Sequence, residues 1–239
     1  MPEDAAKVFD EYAGDYAATV NAAIAASGED SEFFADLKAV LAREALGDQV
    51  RTLLDFGCGV GGSTRALARA FPASRISGWD VSPESIARAR ALGGERLDFS
   101  AGSEGATQLP FPDVRFDAAF TACVFHHIPR EEHARWAREL HRAIAPGGTL
   151  VLFEHNPWNP LTRKVVRDCP FDEGVILLRP GYARRLLREA GFTVSRPRYY
   201  FFFPHLLRAL RPLERLLRWL PLGGQYFLEA RRVSASPAP

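Results

Sequence analysis

Two adjacent histidines, His126 and His127, are the side chains of this sequence best suited to move a proton near neutral pH. They come directly after an apolar stretch at residues 116–122, which is typical of a buried β-strand. Sheets of parallel strands build their sites just beyond the carboxyl ends of the strands. His126, and beside it His127, are therefore candidate general bases. The alternative is that both are structural, with His127 hydrogen-bonded inside a turn.

A second chemical signal is the pattern Gly57, Gly59 and Gly62, which follows an apolar stretch at residues 51–56 and precedes a helical pattern. Glycine permits a tight turn and lets a ligand approach the backbone closely. The helix that follows favours negative charge at its N-terminus. About 20 residues further on, Asp80 ends the next predicted strand, where its carboxylate can accept both hydroxyls of a ribose. This pattern alone fits NAD as well as S-adenosylmethionine.

Four further features distinguish the two cofactors. Asp55 stands two residues before the first glycine, where NAD-binding folds usually carry an apolar residue. The other three are short motifs in order along the chain: residues 109–113 (LPFPD) followed by Phe116 and Asp117, residues 125–129 (FHHIP), and residues 145–148 (APGG) leading into a strand at 149–153. With this ordered set, residues 50–155 strongly resemble the class I S-adenosylmethionine-dependent methyltransferases of type 11/12.

The resemblance implies a Rossmann-like α/β fold: a seven-stranded, mostly parallel sheet with helices on both faces and an antiparallel last strand at residues 225–233. It also implies S-adenosyl-L-methionine as the cofactor. The cofactor-binding positions that it implies are Asp55, Gly57, Cys58, Gly59, Asp80, Val81, Glu104, Ala106 and Thr121. The sequence departs from the family at Gly105, where an acidic residue is common, so Glu104 or the backbone of Ala106 would contact the adenine. In related plant-type O-methyltransferases a histidine at the place of His126 acts as the base.

Two segments are candidates for binding the methyl acceptor. Tyr12 and Tyr16 lie in an N-terminal helical region that often covers the cofactor in this family, although ordinary core packing explains their spacing equally well. A loop with two prolines follows the fifth predicted strand, and such a loop leaves side chains free to converge on a ligand. Its candidates are His155, Asn156 and Trp158.

The segment at residues 205–220 has an amphipathic pattern. One predicted face consists of Leu206, Leu210, Leu213, Leu217 and Leu220, and the opposite face of Arg208, Arg211, Arg215 and Arg218. From Pro160 onward the chain has 15 Lys and Arg against six Asp and Glu, which favours an anionic partner. Three interpretations stay open: a core-packed helix with a solvated basic face, a lid over an anionic acceptor, and a surface that lies on membrane lipid.

Composition and length are those of one globular domain. We expect a methyltransferase domain over residues 1–233, with a helical cap at 1–48, a cofactor-binding core at 50–155, an acceptor-side half at 156–233 and a disordered tail at 234–239. The three cysteines are scattered and build neither a disulfide framework nor a zinc pattern, and no metal is expected. An acidic N-terminus and the lack of a long apolar run favour a cytoplasmic protein, with peripheral contact at the inner membrane face as the alternative.

The function expected from these patterns is O-methylation of a small-molecule, glycan or lipid-linked acceptor. C- or N-methylation, a nicotinamide-dependent oxidoreductase and a non-catalytic cofactor-binding module are the alternatives. Residues 205–220 and the loop after the fifth strand also weakly resemble bacterial methyltransferases of cell-surface glycan and lipid-linked pathways. No nucleic-acid partner is expected, because the basic tract lacks a recognisable binding module.

Overall fold

A computed structural model describes residues 3–102, 106–112 and 116–233 of the chain. Its centre is one sheet with the strand order β3-β2-β1-β4-β5-β8-β6, in which β7 also pairs with β8. The strands are β1 Thr52–Phe56, β2 Arg75–Asp80, β3 Leu97–Ala101, β4 Phe116–Ala122, β5 Ile144–His155, β6 Phe192–Val194, β7 Arg198–Tyr200 and β8 Gln225–Arg232. Strands β1 to β5 pair in parallel, and β8 runs antiparallel to β5, which confirms the predicted fold class.

Helices surround this sheet. They are α1 Glu3–Tyr12, α2 Tyr16–Ile24, α3 Ser31–Leu46, α4 Gly62–Ala70, α5 Pro83–Ala91, α6 His133–Ala143, α7 Pro160–Asp168, α8 Pro180–Glu189 and α9 Glu214–Leu217. Helix α5 shows why the sequence folds this way locally. Ser82 caps the helix by accepting a hydrogen bond from the backbone of Ser85, and Pro83 occupies the first turn, where its missing N–H is not needed.

The core lies on both faces of the sheet, because successive residues of a buried strand point to opposite sides. On β1, Leu54 packs in one apolar cluster with Trp79 and Trp136. Its neighbour Leu53 packs in a second apolar cluster, with Phe120 and Phe153. The chain order reverses between β1 and β4, and at such a switch point the carboxyl ends of the strands open a crevice for a ligand.

The single strand that the sequence predicts at residues 193–203 is instead two short strands, β6 and β7. Val194 pairs with Ala230 and Arg198 with Phe227, so three residues of this edge stand opposite two residues of β8. This is a β-bulge. Pro197 lies in it and has no N–H to donate to a neighbouring strand.

The predicted amphipathic helix at residues 205–220 also differs in the structure. The segment begins as a 3₁₀-helix, His205–Leu213, continues as the one-turn helix α9, and contains Pro212. Its leucine stripe does not anchor it, because Leu206 is 91% exposed and Leu213 50% exposed. The anchors are arginines: Arg211 pairs with Glu29 at 2.6 Å, and Arg218 pairs with Glu44 at 2.8 Å.

Candidate active site

The glycine turn after β1 is fixed to β2 by its backbone. The N–H groups of Gly57 and Cys58 both donate to the carbonyl of Trp79, at 2.8 and 3.1 Å. Gly59 has a φ of +52°, and no described atom lies within 4 Å of the place where its Cβ would be. The turn therefore presents bare backbone to open space, as a closely approaching ligand requires.

Two buried carboxylates lie beside this turn. Asp80 accepts hydrogen bonds from the backbone N–H of Gly59 at 2.8 Å and of Ser82 at 3.0 Å. Asp55 accepts a hydrogen bond from the hydroxyl of Thr64 at 2.7 Å. Burial, opposed by the Thr64 hydrogen bond and aided by the charge of Asp80, raises the pKa of Asp55 to about 7. Both carboxylates can thus bind ligand groups that donate hydrogen bonds or carry positive charge.

The other predicted cofactor positions are compatible with the same ligand. Thr121, on β4, has a buried hydroxyl that finds no hydrogen-bond partner among the residues that the structure describes. Val81 and Ala106 are partly buried apolar residues beside the core, and Cys58 is buried under the turn. Glu104 lies outside the described residues. The bare backbone at Gly59, the two carboxylates and the unpartnered hydroxyl fit S-adenosylmethionine.

A cavity of about 560 Å³ extends from the glycine turn across the end of the sheet. One wall is apolar and comes from α2, α3 and the chain after β7, with Ile24, Phe34 and Phe201 among its residues. Other lining residues are polar and include Lys38, His126, His127, His155 and Asp172. A molecule in this cavity would touch both the cofactor turn and the predicted histidines.

The two predicted catalytic histidines stand in a buried charged cluster. His126 Nδ1 lies 2.7 Å from Glu154 Oε2, and both side chains are 1% exposed. On the other side, Asp172 Oδ1 lies 3.6 Å from His126 Nε2 and 3.2 Å from His127 Nε2. The 3₁₀ turns Phe125–His127 and Pro170–Asp172, together with the end of β5, bring these groups together.

The charges of this cluster set the protonation of its histidines. Burial by itself would lower the pKa of His126, but the negative charges of Glu154 and Asp172 outweigh it and raise that pKa well above the ordinary 6.5. Burial and the adjacent charge of His126 lower the pKa of His127. His126 is therefore a charged hydrogen-bond donor in this arrangement, and His127 is the neutral member of the pair.

Of the residues predicted to bind the acceptor, some line the cavity and others do not. Tyr16 and His155 line the cavity. Tyr12 belongs to a different helix from Tyr16 and packs edge-on against Phe171, with ring centroids 5.7 Å apart. Its place in the described structure corresponds to the packing alternative.

Two further predictions for the acceptor side need correction. Asn156 is fully buried and structural, because its amide nitrogen donates to the carbonyls of Pro221 and Gly223 while its oxygen accepts from the backbone of Trp158. Trp158 is 54% exposed and lies outside the described lining of the cavity. Asn156 therefore fastens the loop to the segment before β8, whereas His155 is the predicted residue of this group that lines the cavity.

Sequence reasoning missed four groups of the site. Glu154 could have been found, because it is the last residue but one of β5, and β5 lies next to the strand that precedes His126. Asp172 follows no periodic pattern, and no local signal marks it. Cys123 and Lys38 both line the cavity, with Lys38 Nζ 3.7 Å from Cys123 Sγ, although 85 positions separate them along the chain.

Comparisons with known proteins support a methyltransferase family for this chain. The model of a methyltransferase domain family matches residues 53–148. The chain is 34% identical over 160 residues to trans-aconitate 2-methyltransferase of Mycobacterium marinum, covering 62% of this chain and 58% of that protein. It is 36% identical over 105 residues to 2-methyl-6-phytyl-1,4-hydroquinone methyltransferase of Synechocystis sp., covering 44% and 32%. The chain thus spans less than two thirds of the length of these curated relatives.

Among solved structures, the chain is similar to that of the DhpI–SAH complex. The TM-score is 0.64, the sequence identity is 18%, and the match covers 98% of this chain and 97% of the other. A likeness at this level of identity shows a shared fold. That fold extends beyond the matched domain to the acceptor side of the chain.

Proposed function

We propose that this chain, a member of the class I S-adenosylmethionine-dependent methyltransferase family, moves a methyl group from S-adenosylmethionine to an ionisable oxygen of a small-molecule acceptor. The observation that carries the proposal is the continuous cavity between the glycine turn and the histidine cluster. The family membership rests on residues 53–148 and on the ordered cofactor positions around them.

When bound, S-adenosylmethionine supplies a methyl group on a positively charged sulfur, so the acceptor oxygen forms the new C–O bond while the S–C bond breaks and its electron pair stays on sulfur. The protein's main task is then alignment of the acceptor with that methyl group. The turn at Gly59 and the carboxylate of Asp80 would fix one partner, and the cavity walls would fix the other.

The polar end of the cavity suits an acceptor oxygen that carries, or develops, negative charge. His126 is a charged donor between two carboxylates, and Lys38 adds another cation to the cavity wall. Burial raises the pKa of Tyr16, so its hydroxyl stays protonated and can donate a hydrogen bond. His127 is the neutral group that can accept a proton from the acceptor.

The apolar wall suits the body of the acceptor. Ile24, Phe34 and Phe201 offer no hydrogen bonds, so they favour a carbon skeleton with few polar groups on that side. The names of the two relatives include trans-aconitate, a carboxylic acid, and a hydroquinone, a phenol. A carboxylic acid and a phenol both carry an acidic oxygen, which suits the polar groups of this cavity.

The test is transfer of an isotope-labelled methyl group to a panel of carboxylic acids and phenols, with mass spectrometry of the products. Mild alkali then separates the products, because a methyl ester hydrolyses while a methyl ether or a C-methyl product does not. Label on carbon or nitrogen would overturn the O-methyl assignment. Binding of S-adenosylhomocysteine with no transfer to either class would reject the acceptor class and keep the cofactor site.

We further propose that the segment at residues 205–222 lies against anionic lipid. Its apolar side chains face solvent, with Trp219 74% exposed and Leu222 65% exposed, and exposed Arg208 and Arg215 lie among them. Phe202 and Pro204, directly before the segment, line the cavity. No helix among the described residues is long and apolar enough to cross a membrane. Contact at the surface of the bilayer would place the cavity beside lipid-borne acceptors.

A further inference from the structure

We propose that His126, His127 and Asp172 bind one divalent transition-metal ion in the wall of the acceptor cavity. The site itself is inferred from the geometry of these three residues. The role of the ion, which is to hold and polarise the acceptor oxygen in place of proton transfer to His127, rests on the proposed function. This revises the expectation from the sequence that the protein has no metal site.

The three side chains converge on one point. One potential ligand atom from each lies within 4.8 Å of the other two. Asp172 Oδ1 is 3.2 Å from His127 Nε2 and 3.6 Å from His126 Nε2. Metal–ligand bonds of about 2.1 Å hold neighbouring ligand atoms roughly 3.0 to 3.5 Å apart. The two separations measured from Asp172 Oδ1 are close to those of ligands around a common ion.

Asp172 provides the second, independent observation. Its side chain is 7% exposed, and its Oδ1 is buried with no hydrogen-bond partner in the part of the chain that the structure describes. His127 approaches that oxygen closely, but not along a hydrogen-bonding direction. The two histidines compensate the charge of this carboxylate, but they leave Oδ1 without an aligned hydrogen bond. A cation at the point of convergence would satisfy that oxygen.

Glu154 prepares His126 for the role of a ligand. Its Oε2 accepts a hydrogen bond from His126 Nδ1 at 2.7 Å, and its Oε1 accepts one from the backbone N–H of Phe125 at 3.0 Å. With Nδ1 bonded to Glu154, Nε2 is the atom directed toward Asp172, and a bound metal ion would replace the proton that Nε2 carries in the metal-free protein. Such a carboxylate behind the imidazole is the usual support of a metal-binding histidine.

The set of donors selects the class of ion. Two imidazole nitrogens and one carboxylate oxygen suit Zn²⁺, Fe²⁺, Mn²⁺ or Co²⁺, whereas Mg²⁺ and Ca²⁺ prefer oxygen ligands alone. Three protein ligands leave coordination positions open, as in catalytic metal sites. His126, His127 and Asp172 all line the cavity, so an open position would face an acceptor there. A carboxylate or phenolate oxygen bound at it would lose its proton more readily.

The test uses the full chain, stripped of metal with a chelator and then titrated with Co²⁺. We expect one Co²⁺ per chain by elemental analysis, with visible ligand-field absorption that changes when an acidic acceptor is added. Asp172→Asn and His127→Gln should each weaken Co²⁺ binding by at least about 100-fold, and Glu154→Gln by about 10- to 100-fold. His141→Gln is the matched control, because His141 lies on α6 outside the cluster, and its Co²⁺ affinity should equal that of the wild type.

Each outcome decides the proposal. A wild-type chain that binds no stoichiometric Co²⁺, or an Asp172→Asn variant that binds it as tightly, would show that the cluster is an ion-pair network only. Circular dichroism and S-adenosylhomocysteine affinity report whether each variant is folded. If Asp172→Asn does not fold, the Co²⁺ affinity of His127→Gln decides between a metal site and an ion-pair network. Co²⁺ binding without methyl transfer would keep the metal site and reject the acceptor class. Transfer that survives metal removal would keep the enzyme and reject the role of the ion.

Discussion

The backbone N–H of Gly59 donates a hydrogen bond of 2.8 Å to Oδ2 of Asp80. This bond joins the turn after β1 to the end of β2, so the two cofactor motifs are aligned within the protein itself. A ligand that contacts both does not have to order them first, and preorganisation of this kind favours tight binding.

The two glycines of the turn should respond differently to alanine. In Gly59→Ala the new methyl group meets open space, so we expect a stability loss of only about 1–2 kcal/mol from the left-handed backbone. S-adenosylhomocysteine affinity should nevertheless fall, because the methyl group occupies the space of the ligand. In Gly57→Ala the new Cβ would lie 2.3 Å from Cγ2 of Val124, which should destabilise the fold itself. Denaturant unfolding and calorimetry measure the two effects, and normal ligand affinity in Gly59→Ala would refute the placement of the cofactor.

Asp55→Asn should stabilise the ligand-free protein at alkaline pH. The pKa of Asp55 is raised from 3.8 to about 7, so the stability that its neutral form contributes is present below pH 3.8 and is lost as the pH rises through about 7. At 1.36 kcal/mol per pKa unit, the ionised carboxylate costs up to about 4 kcal/mol at pH 8. The free energy of unfolding of the variant should rise by much of this amount at pH 8 and by little at pH 4. The variant should also bind the cofactor's amino group more weakly. Equal gains in unfolding free energy at both pH values would contradict this account.

Cys123 should be the cysteine that reacts with iodoacetamide. Burial alone would raise the pKa of its thiol, but the charges of His155 and Lys38 outweigh burial and lower that pKa to about 7. Burial raises the pKa of Cys58 well above its ordinary value and that of Cys169 to about 12, so these two serve as internal controls. The thiolate is the reactive form, so modification of Cys123, followed by mass spectrometry, should have its midpoint near pH 7. Lys38→Met should move the midpoint upward, and an unchanged midpoint would exclude the lysine as its cause.

The exposed apolar segment should bind anionic vesicles. We expect the full chain to float with phosphatidylglycerol vesicles at low salt and less at high salt, because Arg208 and Arg215 contribute by charge. Replacing Leu206, Leu213 and Trp219 by Ser should abolish flotation and leave S-adenosylhomocysteine binding intact. Leu92→Ser is the matched control, since Leu92 is 58% exposed at the end of α5. Wild-type protein that stays in the aqueous fraction would reject the lipid contact.

The cofactor half was predictable because its signals are local. The turn from Gly57 to Gly62 follows its strand directly, and Asp80 ends the next strand, so a short stretch of sequence defines both positions. The segment at residues 205–220 was not predictable in the same way. Its spacing indicates that two faces exist, but which face turns inward depends on Glu29 and Glu44, more than 150 residues earlier in the chain.

The histidine cluster lies between these two cases. His126 was predictable from its place after β4, whereas its partner Asp172 comes from an irregular turn that only the tertiary fold brings near. Asn156 failed for another reason. Polar residues in a proline-rich loop indicate irregular backbone. The amide of Asn156 satisfies carbonyl groups of that irregular backbone, so it is not available to a ligand.

The position of β8 has a consequence for how the enzyme matures during its synthesis. Strands β6 and β7 pair with β8, and Gln225 on β8 both accepts a hydrogen bond from Tyr200 and lines the cavity. Strands β1 to β5 are synthesised before residue 156, but the part of the cavity wall that Gln225 forms cannot be in place until residues 225–232 are outside the exit tunnel. A nascent chain would therefore acquire its donor site well before it could select a molecule to modify.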